Sequence, residues 1–297
     1  MCYSNENNNE NNNEKVIEVK NLSFSYTRKP FLENIDFTVK RGEIFGFLGP
    51  SGAGKSTLQK VLTGLCTGYK GTAKILGTES RNHKSDFYEH IGVDFEYPSL
   101  FEKLTAKENL EYFASLYSGE KQNIDNLLRE VGLYEHKDKK VSAFSKGMRS
   151  RLNFIKSLVH NPQVLFLDEP TSGLDPNNAK IMKDMIKKER DKGKTIIITT
   201  HNMQDATELC DRVVFIVNGH MKALDTPHNF IMQRGAAKVT YTYMDNEREQ
   251  QRTSLLSEIS GDSIFSELVA QNRITSIHSA EPTLSDIFIE LTGAQLD

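Results

Sequence analysis

The sequence has no long apolar run. Its runs of consecutive apolar residues, such as Ile196–Ile198 and Val213–Val217, are far shorter than the roughly 18 residues that a membrane-spanning helix needs. The sequence also lacks the basic end and apolar segment of a secretory signal, because its first residues are rich in Asn and Glu. It therefore predicts neither a membrane span nor a signal peptide.

Cysteine is scarce and shows no pairing pattern. The chain has three cysteines, Cys2, Cys66 and Cys210, which are far apart in sequence and form no CxxC pair. An odd number of scattered cysteines is typical of free thiols in a reducing compartment. We therefore expect neither a disulfide framework nor a cysteine metal site, and we expect a cytoplasmic chain.

Basic residues are not in excess. Lys and Arg number 37 against 40 Asp and Glu, so the formal net charge is −3. A mildly acidic chain lacks the basic surface with which proteins coat nucleic acid phosphates, so no nucleic acid partner is expected. Apolar residues make up 37% and charged residues 26% of the chain, which is typical of a folded globular protein.

The pattern of the sequence changes along its 297 residues. Residues 1–14 are an Asn-rich tail that is expected to be disordered. Residues 15–227 alternate between strand-like and helical patterns, with a mostly helical insert at about 100–160. Residues 228–297 carry a weaker pattern of strands and a helix, which predicts a small C-terminal α+β extension.

The strand patterns predict an α/β fold. Apolar and polar residues alternate between residues 16 and 39, which favours antiparallel strands with one buried face. Glu43–Leu48, Val164–Leu167 and Lys194–Thr199 are instead nearly continuous apolar runs, typical of strands buried on both faces of a parallel sheet. Because helical patterns separate these runs, we expect a mostly parallel sheet beside an antiparallel β subdomain.

A glycine-rich loop follows the first of the buried strands. It matches the phosphate-binding pattern GxxxxGK[ST] and consists of Gly49, Pro50, Ser51, Gly52, Ala53, Gly54, Lys55, Ser56 and Thr57. Glycines let successive N–H groups point at phosphates, and the N-terminus of the next helix adds a positive potential. Lys55 can reach the β- and γ-phosphates, and Ser56 can ligate Mg²⁺. An ordinary turn is the alternative, but the flanking strand and helix favour a nucleotide site.

The strand Val164–Leu167 ends in two carboxylates, Asp168 and Glu169. Asp168 is suited to hold Mg²⁺ directly or through water, and Glu169 is suited to activate the attacking water as a general base. A pair of acids at the end of a strand is also common where a strand simply reaches solvent. Together with the phosphate-binding loop, the pair predicts nucleotide hydrolysis.

These motifs resemble those of ATP-binding cassette (ABC) ATPases. The run Asp168–Pro176 is similar to the family's second carboxylate motif and the loop after it, and the resemblance spans roughly Val16 to Leu224. It implies a RecA-like P-loop NTPase core with a mixed sheet. It also implies nucleotide contacts by Tyr26 (stacked on adenine), Glu96 (coupling loop), Ser145 and Gly147 (signature sequence), Asp175, and the switch histidine His201. A core position for Tyr26 and a simple surface position for His201 are the alternatives.

Two segments depart from the family's pattern. The signature LSGGQ is replaced by Phe144–Met148, which keeps Ser145 and Gly147 for the phosphate contact. Glu96 stands where glutamine is usual and adds a negative charge near Mg²⁺ and phosphate. Both variants, and the C-terminal residues 281–292, are similar to ATPase subunits of the ABC-2 type exporters that are linked to drug or lipid export.

The resemblance implies a motor subunit that binds ATP and Mg²⁺, hydrolyses ATP and dimerises around it with a second ATPase subunit, identical or different. The implied catalytic residues are Lys55, Glu169 and His201. The implied metal contacts are Ser56, Asp168 and Glu96. A separate integral membrane permease is expected to dock near Glu96 and residues 98–104, which would hold the chain at the inner face of the cell membrane.

Two other functions compete with this interpretation. A soluble ABC ATPase that serves ribosomes or DNA repair is the main alternative, but the chain has one cassette, no long heptad run and no basic stripe. A nucleotide-binding regulatory module without turnover is disfavoured because Lys55, Asp168, Glu169 and His201 are all present.

Overall fold

The computed structural model describes residues 14–97, 99–233, 238–245 and 248–294. Apart from Glu14, the tail predicted to be disordered lies outside the described residues. The chain divides into two compact units between Leu224 and Asp225, whereas the sequence predicts a boundary after residue 227. The first unit contains the phosphate-binding loop and the two carboxylates, and the second contains the weaker C-terminal pattern.

Strands and helices alternate along the first unit. Its strands are β1 (Lys15–Phe24), β2 (Leu32–Lys40), β3 (Ile44–Leu48), β4 (Lys70–Ile75), β5 (Thr78–Glu79), β6 (Ile91–Asp94), β7 (Val164–Asp168), β8 (Thr195–Thr200), β9 (Arg212–Val217) and β10 (His220–Asp225). Its α-helices are α1 (Lys55–Leu62), α2 (Ala106–Ser115), α3 (Ile124–Glu130), α4 (Lys146–Lys156), α5 (Pro176–Asp191) and α6 (Met203–Leu209). Short 3-10 helices occupy Ser80–Asn82, Ser85–Glu89, Tyr134–His136 and Val141–Ala143.

The antiparallel sheet of the first unit has the strand order β2-β1-β4-β5. Ile17 and Val19 of β1 lie opposite Val39 and Phe37 of β2, and all four side chains are buried. From Ile17 to Lys20 and from Ile35 to Lys40 the buried side chains alternate with polar residues that are exposed or half-buried, as the sequence predicts for a sheet with one buried face. The buried face belongs to the same apolar cluster as β3 and α1, so this sheet packs beside the phosphate-binding loop.

A six-stranded sheet with the order β10-β9-β3-β8-β7-β6 forms the centre of the first unit. Strands β9, β3, β8, β7 and β6 run parallel to one another, and β3 and β8 are buried along their whole length. Because the carboxyl ends of parallel strands meet at one edge of a sheet, the residues that follow β3, β7 and β8 become neighbours. The predicted α/β core is confirmed.

A tight turn at Asn218 and Gly219 joins β9 to β10. Both residues have positive φ angles, 49° and 77° respectively, as the two central residues of a type I′ hairpin turn require. A Cβ atom at position 219 would lie 1.8 Å from the carbonyl oxygen of Phe31. Glycine is therefore required for close packing as well as for the turn.

The insert between β6 and β7 is helical, as predicted for residues of about 100–160. Thr105 and Glu108 form a capping box at the start of α2, in which each side chain accepts a hydrogen bond from the other residue's backbone N–H. Asn123 caps α3, and Ser145 caps α4. These caps satisfy N–H groups that have no partner within the helix.

The second unit is a small α+β structure. Its strands are β11 (Lys238–Asp245), β12 (Arg248–Leu255) and β13 (Ile274–Ala280), and they form a sheet with the order β12-β11-β13. Its helices are α7 (Pro227–Met232), α8 (Ser263–Ala270) and α9 (Leu284–Thr292), with a 3-10 turn at Ile259–Gly261. Tyr241 is fully buried and donates a 2.9 Å hydrogen bond to Asp262, the residue that caps α8.

Candidate functional site

The phosphate-binding loop connects β3 to α1, as predicted. Lys55 is buried at the start of α1, and its Nζ donates hydrogen bonds of 2.7 Å and 3.0 Å to the carbonyl oxygens of Gly49 and Pro50. Burial lowers the pKa of Lys55, whereas the negative charges of Glu169, Asp168 and Glu96 favour its protonated form. The ammonium group is therefore held under the loop, where β- and γ-phosphates bind in such motifs.

Gly54 gives this loop a conformation that other residues rarely adopt. Its φ angle is 111°, and a Cβ atom there would lie 2.7 Å from Cδ2 of Leu32. The residue directly precedes α1, so its backbone directs the first N–H groups of the helix toward the loop.

Asp168 lies at the carboxyl end of β7, across from the first turn of α1. Its Oδ1 accepts hydrogen bonds from the Ser56 hydroxyl, at 3.5 Å, and from the Thr199 hydroxyl. Two oxygen ligands suited to Mg²⁺ thus lie side by side. Thr199 was not singled out by the sequence, although a hydroxyl at the end of the buried strand β8 is a signal that could have found it.

Glu169 is held by three hydrogen bonds from the end of β8. Its Oε1 lies 2.9 Å from the backbone N of His201 and 2.7 Å from its Nδ1, which donates to the carboxylate. Its Oε2 accepts a 3.0 Å hydrogen bond from the Thr200 hydroxyl. Carboxylate and imidazole are therefore in direct contact, whereas Thr200 is a partner that sequence reasoning missed.

The backbone of Glu169 adopts an unusual conformation, with a φ angle of 49°. A non-glycine residue in this left-handed region carries a cost of about 1–3 kcal/mol and persists only where its surroundings determine it. The N–H of Glu169 donates to the carbonyl oxygen of Thr199 at 2.9 Å. The strand end and the hydrogen bonds to the carboxylate supply that support.

Tyr26 lies just beyond the end of β1 and is 56% exposed. Its hydroxyl is 3.2 Å from Oγ1 of Thr57 in the phosphate-binding loop. Its ring meets Phe24 edge to face, with 4.8 Å between the ring centroids. The alternative of a core tyrosine is wrong, because the ring is exposed beside the loop.

Ser145 and Gly147 lie at the start of α4. The exposed Ser145 accepts a 3.2 Å hydrogen bond from the backbone N of Met148. Gly147 is buried, and a Cβ atom there would lie 2.6 Å from Cγ of Asn178. Asn178, which the sequence did not indicate, donates from its backbone N and its Nδ2 to Asp175 at 3.1 Å and 2.6 Å. These hydrogen bonds lower the pKa of Asp175.

A cavity of about 340 Å³ separates the carboxylates from the helical insert. The exposed Glu96 lies on its wall, as do Asp168, Glu169 and Lys146. Lys146 is exposed, but its Nζ lies against the backbone of Gly173, where a Cβ atom would be 2.0 Å away. The loop with Glu96 and the segment Phe144–Met148, which are both predicted to contact nucleotide, thus face one cavity.

A group of buried polar side chains, two of which (Asp94 and Asn153) line this cavity, links β6 to α4. Asn153 donates hydrogen bonds to the carboxylate of Asp94 and, at 3.4 Å, to the carbonyl oxygen of Phe95. Lys156 donates to the Ser99 hydroxyl at 2.9 Å. Burial raises the pKa of Asp94, while the charge of Lys156 and the hydrogen bond from Asn153 oppose that rise. Sequence reasoning missed this group.

The described part of the chain contains no group of three or more His, Cys, Asp and Glu residues that could hold a metal ion. Within the same residues, no helix is long and apolar enough to cross a membrane. Cys66 and Cys210 are free thiols, as predicted, and Cys2 lies outside the described residues. Burial strongly raises the pKa of Cys210, which keeps its thiol protonated.

Comparisons with known proteins show which family the chain resembles. Residues 32–172 match the ABC transporter family model. The chain is 44% identical over 285 residues to a fluoroquinolones export ATP-binding protein of Mycobacterium tuberculosis, with 95% of each chain covered. It is 32% identical over 299 residues to the Nod factor export ATP-binding protein I of Rhizobium meliloti, covering 94% of this chain and 89% of that protein. A solved ATP-binding subunit of an ABC transporter superposes with a TM-score of 0.67 at 31% identity, covering 74% of this chain and 93% of that one.

The fold and the site together define a P-loop ATPase, in which a phosphate-binding loop and a carboxylate-ended strand meet at one edge of a parallel sheet. With these relatives over nearly its whole length, the chain belongs to the ABC transporter family as one of its ATP-binding subunits. The predictions of ATP binding and of ATP hydrolysis coupled to transport are confirmed. The alternative of a ribosome or DNA-repair ATPase has no support in these comparisons.

Proposed function

We propose that this chain is the motor subunit of an ABC exporter and uses ATP hydrolysis to drive a separate integral membrane permease. The observation that carries the proposal is the convergence of Lys55, Asp168 and the Glu169–His201 pair at one edge of the sheet. Export is supported by the relatives in Mycobacterium tuberculosis and Rhizobium meliloti, which are both export ATP-binding proteins. Residues 15–227 would be the ATPase domain and residues 228–297 an accessory extension.

The phosphate groups of ATP would bind in the loop from Gly49 to Thr57, against the N-terminus of α1. Lys55 would exchange its bonds to loop carbonyls for the β- and γ-phosphates, because a charged acceptor binds an ammonium group more strongly than a carbonyl does. Ser56 and Asp168 offer adjacent oxygens that fit Mg²⁺. The ion, with Glu96 as a further contact, would neutralise charge on the phosphates during transfer.

Hydrolysis would depend on Glu169 as the general base. Its carboxylate would accept a proton from the attacking water, and His201 would hold the carboxylate in place through the two hydrogen bonds that it donates. His201 would also face the γ-phosphate with the rest of its ring, which is 42% exposed at the side chain. Both residues extend from the ends of buried strands, which position side chains more precisely than loops do.

Tyr26 offers a direct test of adenine binding. Replacing Tyr26 with Ala should weaken ATP binding about tenfold, because base–aromatic stacking contributes about 1–3 kcal/mol. Replacing it with Phe should leave ATP affinity nearly unchanged, since Phe keeps the ring and loses only the contact with Thr57. Isothermal titration calorimetry with ATP and with inorganic triphosphate separates the two contributions. Equal ATP affinity in all three proteins would contradict adenine stacking by Tyr26.

ATP would hold two ATPase subunits together, either identical or different. In this arrangement the start of α4 in one subunit, with Ser145 and the N–H of Gly147, would bind the γ-phosphate held by its partner. The N-terminus of an eleven-residue helix suits an anion. Each chain contains both halves, a phosphate-binding loop and the start of α4. The two halves of one site come from different subunits, so a single chain does not complete a site by itself.

The dimer is tested by replacing Ser145 with Arg in a Glu169→Gln background, where hydrolysis is blocked. Monomer affinity for ATP should stay near that of the parent, because the phosphate-binding loop is unchanged. The ATP-dependent dimer fraction, measured by size exclusion, should fall to that of the nucleotide-free protein, because the bulky side chain fills the space of the opposing phosphate. Lys146→Gly, made in the parent chain where hydrolysis proceeds, is the neighbouring control and should change the ATPase rate only modestly. If Ser145→Arg leaves the ATP-dependent dimer fraction unchanged, the dimer proposal is contradicted.

The permease would dock beside the cavity between the carboxylates and the helical insert. Phe95 and Tyr97 line this cavity and are at least 40% exposed, as are Phe101 and Tyr112, whose rings meet edge to face on the helical insert. Exposed aromatic residues are enriched at protein interfaces. Bound in this way, the chain would lie at the cytoplasmic face of the cell membrane.

Copurification from detergent-solubilised membranes should recover one integral membrane protein, whereas recovery of ribosomal or DNA-repair proteins would favour the alternative function.

A further inference from the structure

Glu169 is fixed from two directions. From one side, the end of β8 binds its carboxylate through Thr200 and His201. From the other, its backbone has the left-handed φ of 49° noted above, and the chain then turns into the loop that contains Thr171. A non-glycine residue keeps a left-handed backbone conformation only where its surroundings fix it. The residues that follow Glu169 must therefore also be fixed.

A closed ring of hydrogen bonds holds those residues. Starting from the carboxylate, Oε2 of Glu169 accepts from the Thr200 hydroxyl at 3.0 Å, and the same hydroxyl oxygen accepts from the N–H of Asn202 at 2.9 Å. Oδ1 of Asn202 accepts from the N–H of Asp205 at 3.0 Å. Oδ2 of Asp205 accepts from the Thr171 hydroxyl at 2.5 Å, and the backbone from Thr171 back to Glu169 closes the ring.

The bond between Thr171 and Asp205 is the only side-chain contact in this ring that joins the loop after Glu169 to helix α6. Both residues are 9% exposed, and a charge-assisted hydrogen bond is stronger in such a site than in water. The other oxygen of Asp205 lies 3.3 Å from Nζ of Lys183, which also pairs with Glu208. The carboxylate of Asp205 is therefore fully partnered and points at the loop.

We propose that Asp205 is a positioning residue for ATP hydrolysis, which acts through its hydrogen bond with Thr171 to hold the Glu169 carboxylate against His201. Asp205 has no role in nucleotide binding under this proposal, since it lies on α6 and not on the phosphate-binding loop. The inference rests on the proposed function of Glu169 as the general base. It predicts that replacing Asp205 lowers kcat only in a chain that still has Glu169 as the base.

The test compares steady-state kcat and KM for ATP in Asp205→Ala, Thr171→Val and Asp205→Asn. The first two remove the hydrogen bond and should lower kcat about tenfold or more with KM nearly unchanged, because small misplacement of a catalytic group can cost up to about 10²-fold. Asp205→Asn keeps an oxygen acceptor for Thr171 and should retain most of kcat. Glu208→Gln is the matched control: it weakens the ion pairs of Lys183 without touching Thr171, and kcat should not change.

Two combinations separate positioning from general destabilisation. The double variant Thr171→Val/Asp205→Ala should have a kcat no lower than that of the slower single variant, because both substitutions remove the same hydrogen bond. In the Glu169→Gln background, Asp205→Ala should cause no further loss of kcat. Thr171→Val is nearly isosteric, so it decides the question alone if Asp205→Ala does not fold.

Three results would overturn the proposal. They are a kcat unchanged by Thr171→Val, a further loss from Asp205→Ala in the Glu169→Gln background, and an equal loss in the Glu208→Gln control. If Glu169→Gln itself leaves kcat unchanged, the proposed function of Glu169 fails instead, and this outcome is recognisable without any Asp205 variant.

Discussion

Replacing Glu169 with Gln is expected to lower ATP turnover by roughly 10² or more, the range typical of a general base. The amide oxygen of Gln can still accept hydrogen bonds from Thr200 and His201, so the local structure should persist. It cannot take a proton from water at neutral pH, which removes the proposed chemistry. ATP binding should remain, because the phosphate-binding loop is unchanged. Phosphate release measures turnover, and calorimetry measures ATP affinity.

The same variant should accumulate as an ATP-bound dimer, because hydrolysis is the step that separates the two subunits in the proposed cycle. Size exclusion with and without ATP detects this state. Glu111→Gln, an exposed position on the helical insert, is the matched control and should turn over ATP at the parent rate. Unchanged turnover in Glu169→Gln would remove Glu169 from its proposed role.

Replacing Lys55 with Ala is expected to weaken ATP binding by roughly 10²–10⁴. A hydrogen bond to a charged group contributes about 1.5–3 kcal/mol, and Lys55 would make such bonds to both the β- and the γ-phosphate. The variant also removes the two bonds from Nζ to Gly49 and Pro50, which support the loop in the absence of nucleotide. Calorimetry with ATP and Mg²⁺ measures the loss.

Lys60→Ala is the control for this experiment, because Lys60 lies on the same helix but is exposed in its last turn. Its ATP affinity should match that of the parent. A second comparison with adenosine, which has no phosphates, should show no difference between Lys55→Ala and the parent. ATP affinity that survives Lys55→Ala would defeat the assignment of this ammonium group to the phosphates.

The central strands and the residues at their ends could be predicted because the signals are local and agree with one another. Ile44–Leu48 is a continuous apolar run followed directly by the glycine-rich loop, and β7 is a similar run followed by Asp168 and Glu169. A strand buried on both faces needs apolar residues at every position. Since parallel strands end at the same edge, sequence order alone brings these residues near each other.

Other elements gave no such signal. The strand β12 has the sequence REQQRTSL and is exposed along nearly its whole length, so no apolar alternation marks it as a strand. It forms because β11 pairs with it residue by residue, from Lys238 opposite Leu255 to Asp245 opposite Arg248. Backbone hydrogen bonding to a neighbour is a property of the folded sheet and leaves little trace in the side chains.

The sequence by itself determined the chemistry of this protein: a phosphate-binding loop with Lys55, two carboxylates at the end of a buried strand, and a histidine after the next one. Only the tertiary structure decided what holds that chemistry in place. Thr171 and Asp205 are 34 positions apart, yet their side chains meet. Asn178 likewise packs against Gly147 from another helix. Motifs depend on residue order along one strand and its loop, whereas these contacts depend on how separate helices and loops pack, which no local pattern records.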